Sequence, residues 1–160
     1  MRKERFICPY TVYDNTAELD DNDAELLRLA HEATKNSYAP YSKFHVGAAV
    51  RLANGKTITG CNVENAAYPS GLCAERVTLF AAQAQYPNVP VEAIAITATS
   101  EGKCIDEPIA PCGACRQVMV ETEQHSGRPL RVLCQGETGA IMVFDGIKSL
   151  VPFMFLDKFL

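Results

Sequence analysis

The chain has 160 residues, 48% of them apolar, and a formal net charge of −4. That length buries a core without disulfide staples and predicts one domain over residues 1–160, while the weak charge gives no pull toward a nucleic acid polymer. No window approaches a membrane span and no signal-like apolar stretch follows Met1-Arg2-Lys3-Glu4-Arg5, so a cytoplasmic location with no membrane partner is expected.

Residues 1–20 are the hardest to place, although the alternation of Phe6, Cys8, Tyr10 and Val12 suits an added strand or an interface arm. Asn22-Asp23-Ala24-Glu25 resembles a capping box, and Leu26, Leu29, Ala30 and Ala33 then fall at helical spacing up to Tyr38-Ala39-Pro40. Residues 44–52 and 57–63 read as strands joined by Ala53-Asn54-Gly55-Lys56, whose Asn-Gly pair is a hairpin signal. A largely buried helix is expected over 73–84, an interior strand over 91–99 and a helix over 112–123. Strands at 130–134 and 140–144 complete the chain, ahead of an apolar tail at 151–160. The order α-β-β-α-β-α-β-β implies an α/β sandwich, with about five strands covered by helices.

Seven cysteines in a reducing compartment need work other than disulfides. Cys73 and the pair Cys112-x-x-Cys115 both stand where a helix begins, and free amides there favour thiolates. Three such sulfurs suit zinc. No second Cys-x-x-Cys is present and His31, His45 and His125 are scattered, which favours a fourth position left to water. Cys8, Cys61, Cys104 and Cys134 read as ordinary thiols. Glu75, two residues beyond Cys73, is placed to move protons as general base and then general acid without being forced to coordinate.

The segments Cys73-Ala74-Glu75-Arg76 and Pro111-Cys112-Gly113-Ala114-Cys115-Arg116-Gln117 resemble the homotetrameric three-cysteine class of cytidine deaminases, from about Asp20 to the tail. A zinc deaminase signature with a glutamate that is not a ligand is a known pattern for this chemistry. The resemblance implies a cytidine deaminase-like three-layer α-β-α sandwich with a five-stranded mixed sheet, residues 1–20 being an extension. It implies one zinc per subunit on Cys73, Cys112 and Cys115, and Glu75 as the catalytic residue. The reaction would be hydrolytic deamination of cytidine and 2′-deoxycytidine to uridine and 2′-deoxyuridine plus ammonia, in pyrimidine salvage. Glu75 would carry protons to N3 and to the departing amino group. Phe44 would pack on the pyrimidine, Asn62 and Glu64 would clamp the 3′ hydroxyl, and the Ala74 amide would bind the pyrimidine carbonyl. Arg76 would hydrogen-bond to the ligand sulfurs. Tyr68 and Phe155 match the parts that complete a neighbouring active site in a homotetramer.

Without that resemblance, Phe44 reads as a core aromatic, Asn62 and Glu64 as solvated and Arg76 as half of a surface ion pair. Phe153 is left open between packing in its own subunit and reaching a neighbour. A blasticidin-type deaminase shares the zinc core, but Arg76, Asn62 and Glu64 argue for nucleosides. A thiol-disulfide oxidoreductase would leave Cys73 and Glu75 unexplained. A zinc-stabilised binding module predicts metal without turnover.

Overall fold

The computed structural model covers residues 1–160. Its elements are β1 (Thr11–Tyr13), α1 (Asp21–Ala33), β2 (Phe44–Leu52), β3 (Thr57–Cys61), α2 (Ala74–Gln85), β4 (Val91–Ser100), α3 (Gly113–Ser126), β5 (Arg131–Gln135) and β6 (Ile141–Asp145). They build one sheet in the order β1-β6-β5-β4-β2-β3. Only β4 and β5 run parallel, with α3 as their crossover, so the sheet is mixed as expected.

The expected five strands are all present, and β1 adds a sixth at the β6 edge through Thr11↔Val143, Val12↔Met142 and Tyr13↔Ile141. The alternation of Phe6, Cys8, Tyr10 and Val12 suits an added strand, and a strand forms here only over Thr11–Tyr13, where the open edge of β6 supplies the pairing. Tyr10 adds a ring contact to Phe144 at 5.6 Å, whereas residues 1–9 form no element.

Period-2 alternation in β4 sorts the two faces of the sheet. Ala93 and Ala95 meet Leu26, Leu27 and Ala30 of α1, while Ile94 and Ile96 point into the larger core beneath α2 and α3. The alanine face lets α1 lie close. A Cβ on Gly47 of β2 would fall 2.1 Å from the Ala30 carbonyl oxygen, so only glycine fits this crossing.

Element ends differ from the sequence reading for local reasons. Asp20 caps α1, its Oδ1 accepting from the Asp23 amide at 2.9 Å, which moves the start upstream of the expected Asn22 box. Asp23 is then free to turn inward, where it is fully buried and accepts from Arg51 Nη1 at 3.1 Å and Arg131 Nε at 2.6 Å. α3 continues to Ser126 and stops at Gly127, in the left-handed region at φ 63. β3 ends at Cys61, and Val63 instead bridges Tyr38 on one side and Leu72 on the other. That departure carries residues 62–64 across the mouth of a cavity.

After β6 the chain makes short 3-10 turns at Ile147–Ser149 and Asp157–Phe159. Val151, Met154 and Leu156 pack on the main core. Phe153 is 92% exposed and Phe155 58% exposed, so Phe153 does not pack within its own subunit. No helix is long and apolar enough to cross a membrane.

A candidate metal centre and its cavity

Both cysteine segments reach the same point because α2 and α3 start side by side. Cys73 is the residue before α2 and Cys112 the residue before α3, with Cys115 in the first turn of α3. Their sulfurs lie within 4.8 Å of one another, with Cys73 to Cys112 at 3.9 Å and Cys112 to Cys115 at 3.4 Å. That triangle has the scale of one face of a tetrahedron built on Zn–S bonds of about 2.3 Å. The group contains no histidine and no carboxylate, so the donor set fits a thiolate-bound zinc with one position left over.

The charges around the triangle also fit a cation. The Cys73 thiol is pulled down to about 5 by its hydrogen bond with Cys115 and then by Arg76. Cys115 is pushed the opposite way, by the hydrogen bond to Cys73 and by burial. Of these two thiols Cys73 is the one that ionises first, and a metal ligand must be deprotonated. Arg76 Nη2 stands 3.9 Å from Cys73 Sγ, and Arg76 Nε is buried with no partner. Leaving such a donor unpaired is tolerated where concentrated thiolate charge needs a cation nearby. Cys134, fully buried in the main core, is raised to about 12 by burial and by the Glu75 charge, and stays a neutral thiol.

A cavity of about 970 Å³ opens over the cluster, walled by Phe44, Asn62, Glu64, Tyr68, Glu75 and Arg76 together with Cys73 and Cys112. Glu75 sits in the first turn of α2, only 4% exposed, and burial raises its carboxyl above the ordinary range. Lys43 adopts φ 56, a left-handed conformation uncommon outside glycine; Phe44 follows it, opens β2 and lines the cavity. Asn62 Oδ1 accepts from Ser37 Oγ at 2.5 Å and from the Val46 amide at 2.8 Å, and Asn62 Nδ2 donates to the Phe44 carbonyl at 2.9 Å. Glu64 Oε2 accepts the amides of Tyr41 at 2.9 Å and Ser42 at 3.2 Å. The hydroxyl of Ser42 and these amides hold the Glu64 carboxyl below its ordinary value, so it is ionised at neutral pH.

Most residues singled out from sequence therefore meet in one place. Ala74 is buried rather than lining the wall, but its amide opens α2, where the first turn has no carbonyl to bond. Tyr68 lines the cavity at 75% exposure, its ring 6.0 Å from that of Tyr41. Phe155 lies outside the cavity, its ring 6.1 Å from Phe159. The sequence reading missed Ser37, Tyr41 and Ser42, which act through tertiary hydrogen bonds. Only the break at Tyr38-Ala39-Pro40 marks this stretch in the sequence. The three histidines take other partners, His31 with Gln135, His45 facing Glu101 and His125 with the Pro87 carbonyl.

Residues 20–126 match the family described as "Cytidine and deoxycytidylate deaminase zinc-binding region". The chain is 45% identical over 96 residues to a cytidine deaminase of Halalkalibacterium halodurans, covering 60% of this chain and 68% of that one. It is 36% identical over 123 residues to the cytidine deaminase of Mycobacterium tuberculosis, covering 71% and 80%. The crystal structure of a Burkholderia pseudomallei cytidine deaminase superposes with a TM-score of 0.71 at 41% identity, over 82% of this chain and 97% of that one. The three-cysteine site binds zinc.

Proposed function

The chain belongs to the cytidine deaminase family, and on that basis we propose how its cavity carries out zinc-dependent deamination of cytidine and 2′-deoxycytidine. The carrying observation is that buried Glu75 opens onto the same cavity as the three-cysteine cluster and the paired groups Asn62 and Glu64. The reaction exchanges water for the amino group at C4, giving uridine and ammonia. Cys73, Cys112 and Cys115 would hold the zinc, which would supply a Lewis acid able to make a water acidic at neutral pH. Glu75 accepts a proton from the attacking water and passes it to N3, then takes the proton of the new C4 hydroxyl and delivers it to the amino group as the C4–N bond breaks. Arg76 withdraws charge from the thiolates, and the Ala74 amide donates to the pyrimidine carbonyl. Phe44 packs on the base.

Hydrogen-bond capacity supports one way of gripping the sugar. Both acceptor directions of Asn62 Oδ1 are used by Ser37 and Val46, and one Nδ2 hydrogen by Phe44. Asn62 therefore has one N–H left to offer. Glu64 Oε2 serves two backbone amides, leaving Oε1 as an acceptor. One hydroxyl meets both demands, accepting from Asn62 and donating to Glu64. We assign it as the 3′ hydroxyl, which leaves the 2′ position unread and both sugars as substrates.

Ultraviolet assay of the wild type is expected to show turnover of cytidine and 2′-deoxycytidine with kcat/KM of the same order. E64Q should lower kcat/KM for both by about 10- to 100-fold, the loss of a hydrogen bond to a charged group. For 3′-deoxycytidine, wild type and E64Q should differ little, since the shared contact is already absent. Equal wild-type rates on cytidine and 3′-deoxycytidine would remove the clamp.

The whole chain acts as one cytoplasmic domain, with residues 1–20 as an extension, and assembles as a homotetramer binding one zinc per subunit. The exposed rings of Phe153 and Phe155 support assembly, because apolar surface of that kind calls for cover. Sedimentation should give the mass of four chains, and F155A should lower both the tetramer fraction and kcat/KM. A fully active monomer rules this assembly out.

A further inference from the structure

The three ligands are not equally well held. Cys115 is buried inside α3, and Cys73 follows Leu72, whose backbone exchanges two 3.0 Å hydrogen bonds with Val63. Cys112 is exposed and has a non-helical backbone without a side-chain cap. Its approach through Pro108-Ile109-Ala110-Pro111 has no backbone–backbone hydrogen bonds. One contact secures it: Arg116 Nε donates to the Pro111 carbonyl at 2.7 Å. The Arg116 amide takes the Cys112 carbonyl at 2.9 Å, so a single residue holds the carbonyls on both sides of the Cys112 Cα. The same guanidinium also donates through Nη1 to the Leu150 carbonyl at 3.0 Å, and Gln117 Nε2 to the Phe155 carbonyl at 2.9 Å.

We infer that Arg116 is a positioning residue for the zinc site, clamping the exposed ligand Cys112 and anchoring the start of the C-terminal segment to the same point. Arginine suits the task because its planar fork reaches two carbonyls from one stem, while the buried Pro111 cannot donate and limits the motion of the strap it holds. With the clamp gone, Cys112 is the first ligand to leave, and zinc is released through it. The inference rests on the three-cysteine zinc site.

Its test is the rate at which zinc-loaded protein gives up metal to excess chromogenic chelator. R116Q is expected to release zinc about 10- to 100-fold faster than wild type, the usual cost of losing a residue that orients a metal ligand. R116K keeps the charge but lacks the planar fork whose Nε and Nη1 reach the two carbonyls, so it should fall between the two, and it carries the comparison should R116Q fail to fold. L26A, in the core on the opposite face of the sheet, serves as a control that lowers the melting temperature without touching the clamp. It should release zinc at the wild-type rate. A wild-type rate in either Arg116 variant, or release from L26A as fast as from R116Q, would overturn the inference. A wild type that holds no zinc would instead overturn the site itself.

Discussion

Replacing Glu75 by glutamine is expected to abolish deamination while leaving zinc in place. The substitution keeps the volume and shape of a side chain that is only 4% exposed, so packing in the first turn of α2 changes little. What it removes is the ability to accept a proton and return it. Both proton movements of the reaction pass through this one carboxylate, so a loss of about 10⁴-fold in kcat is expected, the upper end for general acid–base catalysis. Zinc content should stay at the wild-type value, because the ligand group consists of Cys73, Cys112 and Cys115 alone. Metal analysis and the ultraviolet change of cytidine on the same preparation separate the two effects. Should E75Q turn over cytidine within tenfold of wild type, the proton-carrying role is lost. A zinc-free E75Q would mean that Glu75 is a ligand.

The second large effect is expected from Cys115→Ala. Cys115 is fully buried, and its sulfur is 3.4 Å from that of Cys112, so alanine leaves two thiolates where three closed one face of the metal. Cys134 is no substitute, since burial holds it as a neutral thiol with its pKa pushed up to about 12. The variant should keep less than about a tenth of its zinc after dialysis against a competing chelator, because thiolate donors dominate the affinity of such sites. Activity should vanish with the metal. The melting temperature should also fall toward that of chelator-treated wild type, as zinc binds the folded state and stabilises it by mass action. Stoichiometric zinc in C115A would refute the assigned ligand set, and the third donor would then have to be sought elsewhere in the cavity wall.

These two variants act on features that lie close together in the chain, which is why residue order alone makes them legible. Cys112-x-x-Cys115 spans one helical turn, and Glu75 stands two residues from Cys73 at the start of another. Such signals are written in backbone sterics and side-chain periodicity, so a short window contains them. Asn54-Gly55 places its hairpin for the same reason, with Gly55 at φ 78. The family resemblance then supplies Phe44, Asn62 and Glu64, for which a bare reading of the residues offers a core aromatic and two solvated polar groups.

Other features exist only once distant segments pack. Residue order is enough to say which side chains are chemically suited to zinc and proton transfer, and in what succession the helices and strands come. Packing is what makes Cys73 meet Cys112 across 39 positions, Ser37 align Asn62, and buried Asp23 join Arg131 across 108 positions. It also turns Thr11–Tyr13 into a strand, because β6 offers an unpaired edge. Arg116 shows the division within one residue. Its place beside Cys115 is local and visible in the chain, while its grip on Leu150 depends on how the C-terminal segment returns to α3, since hydrogen bonds between distant segments are specified by packing and by no local periodicity.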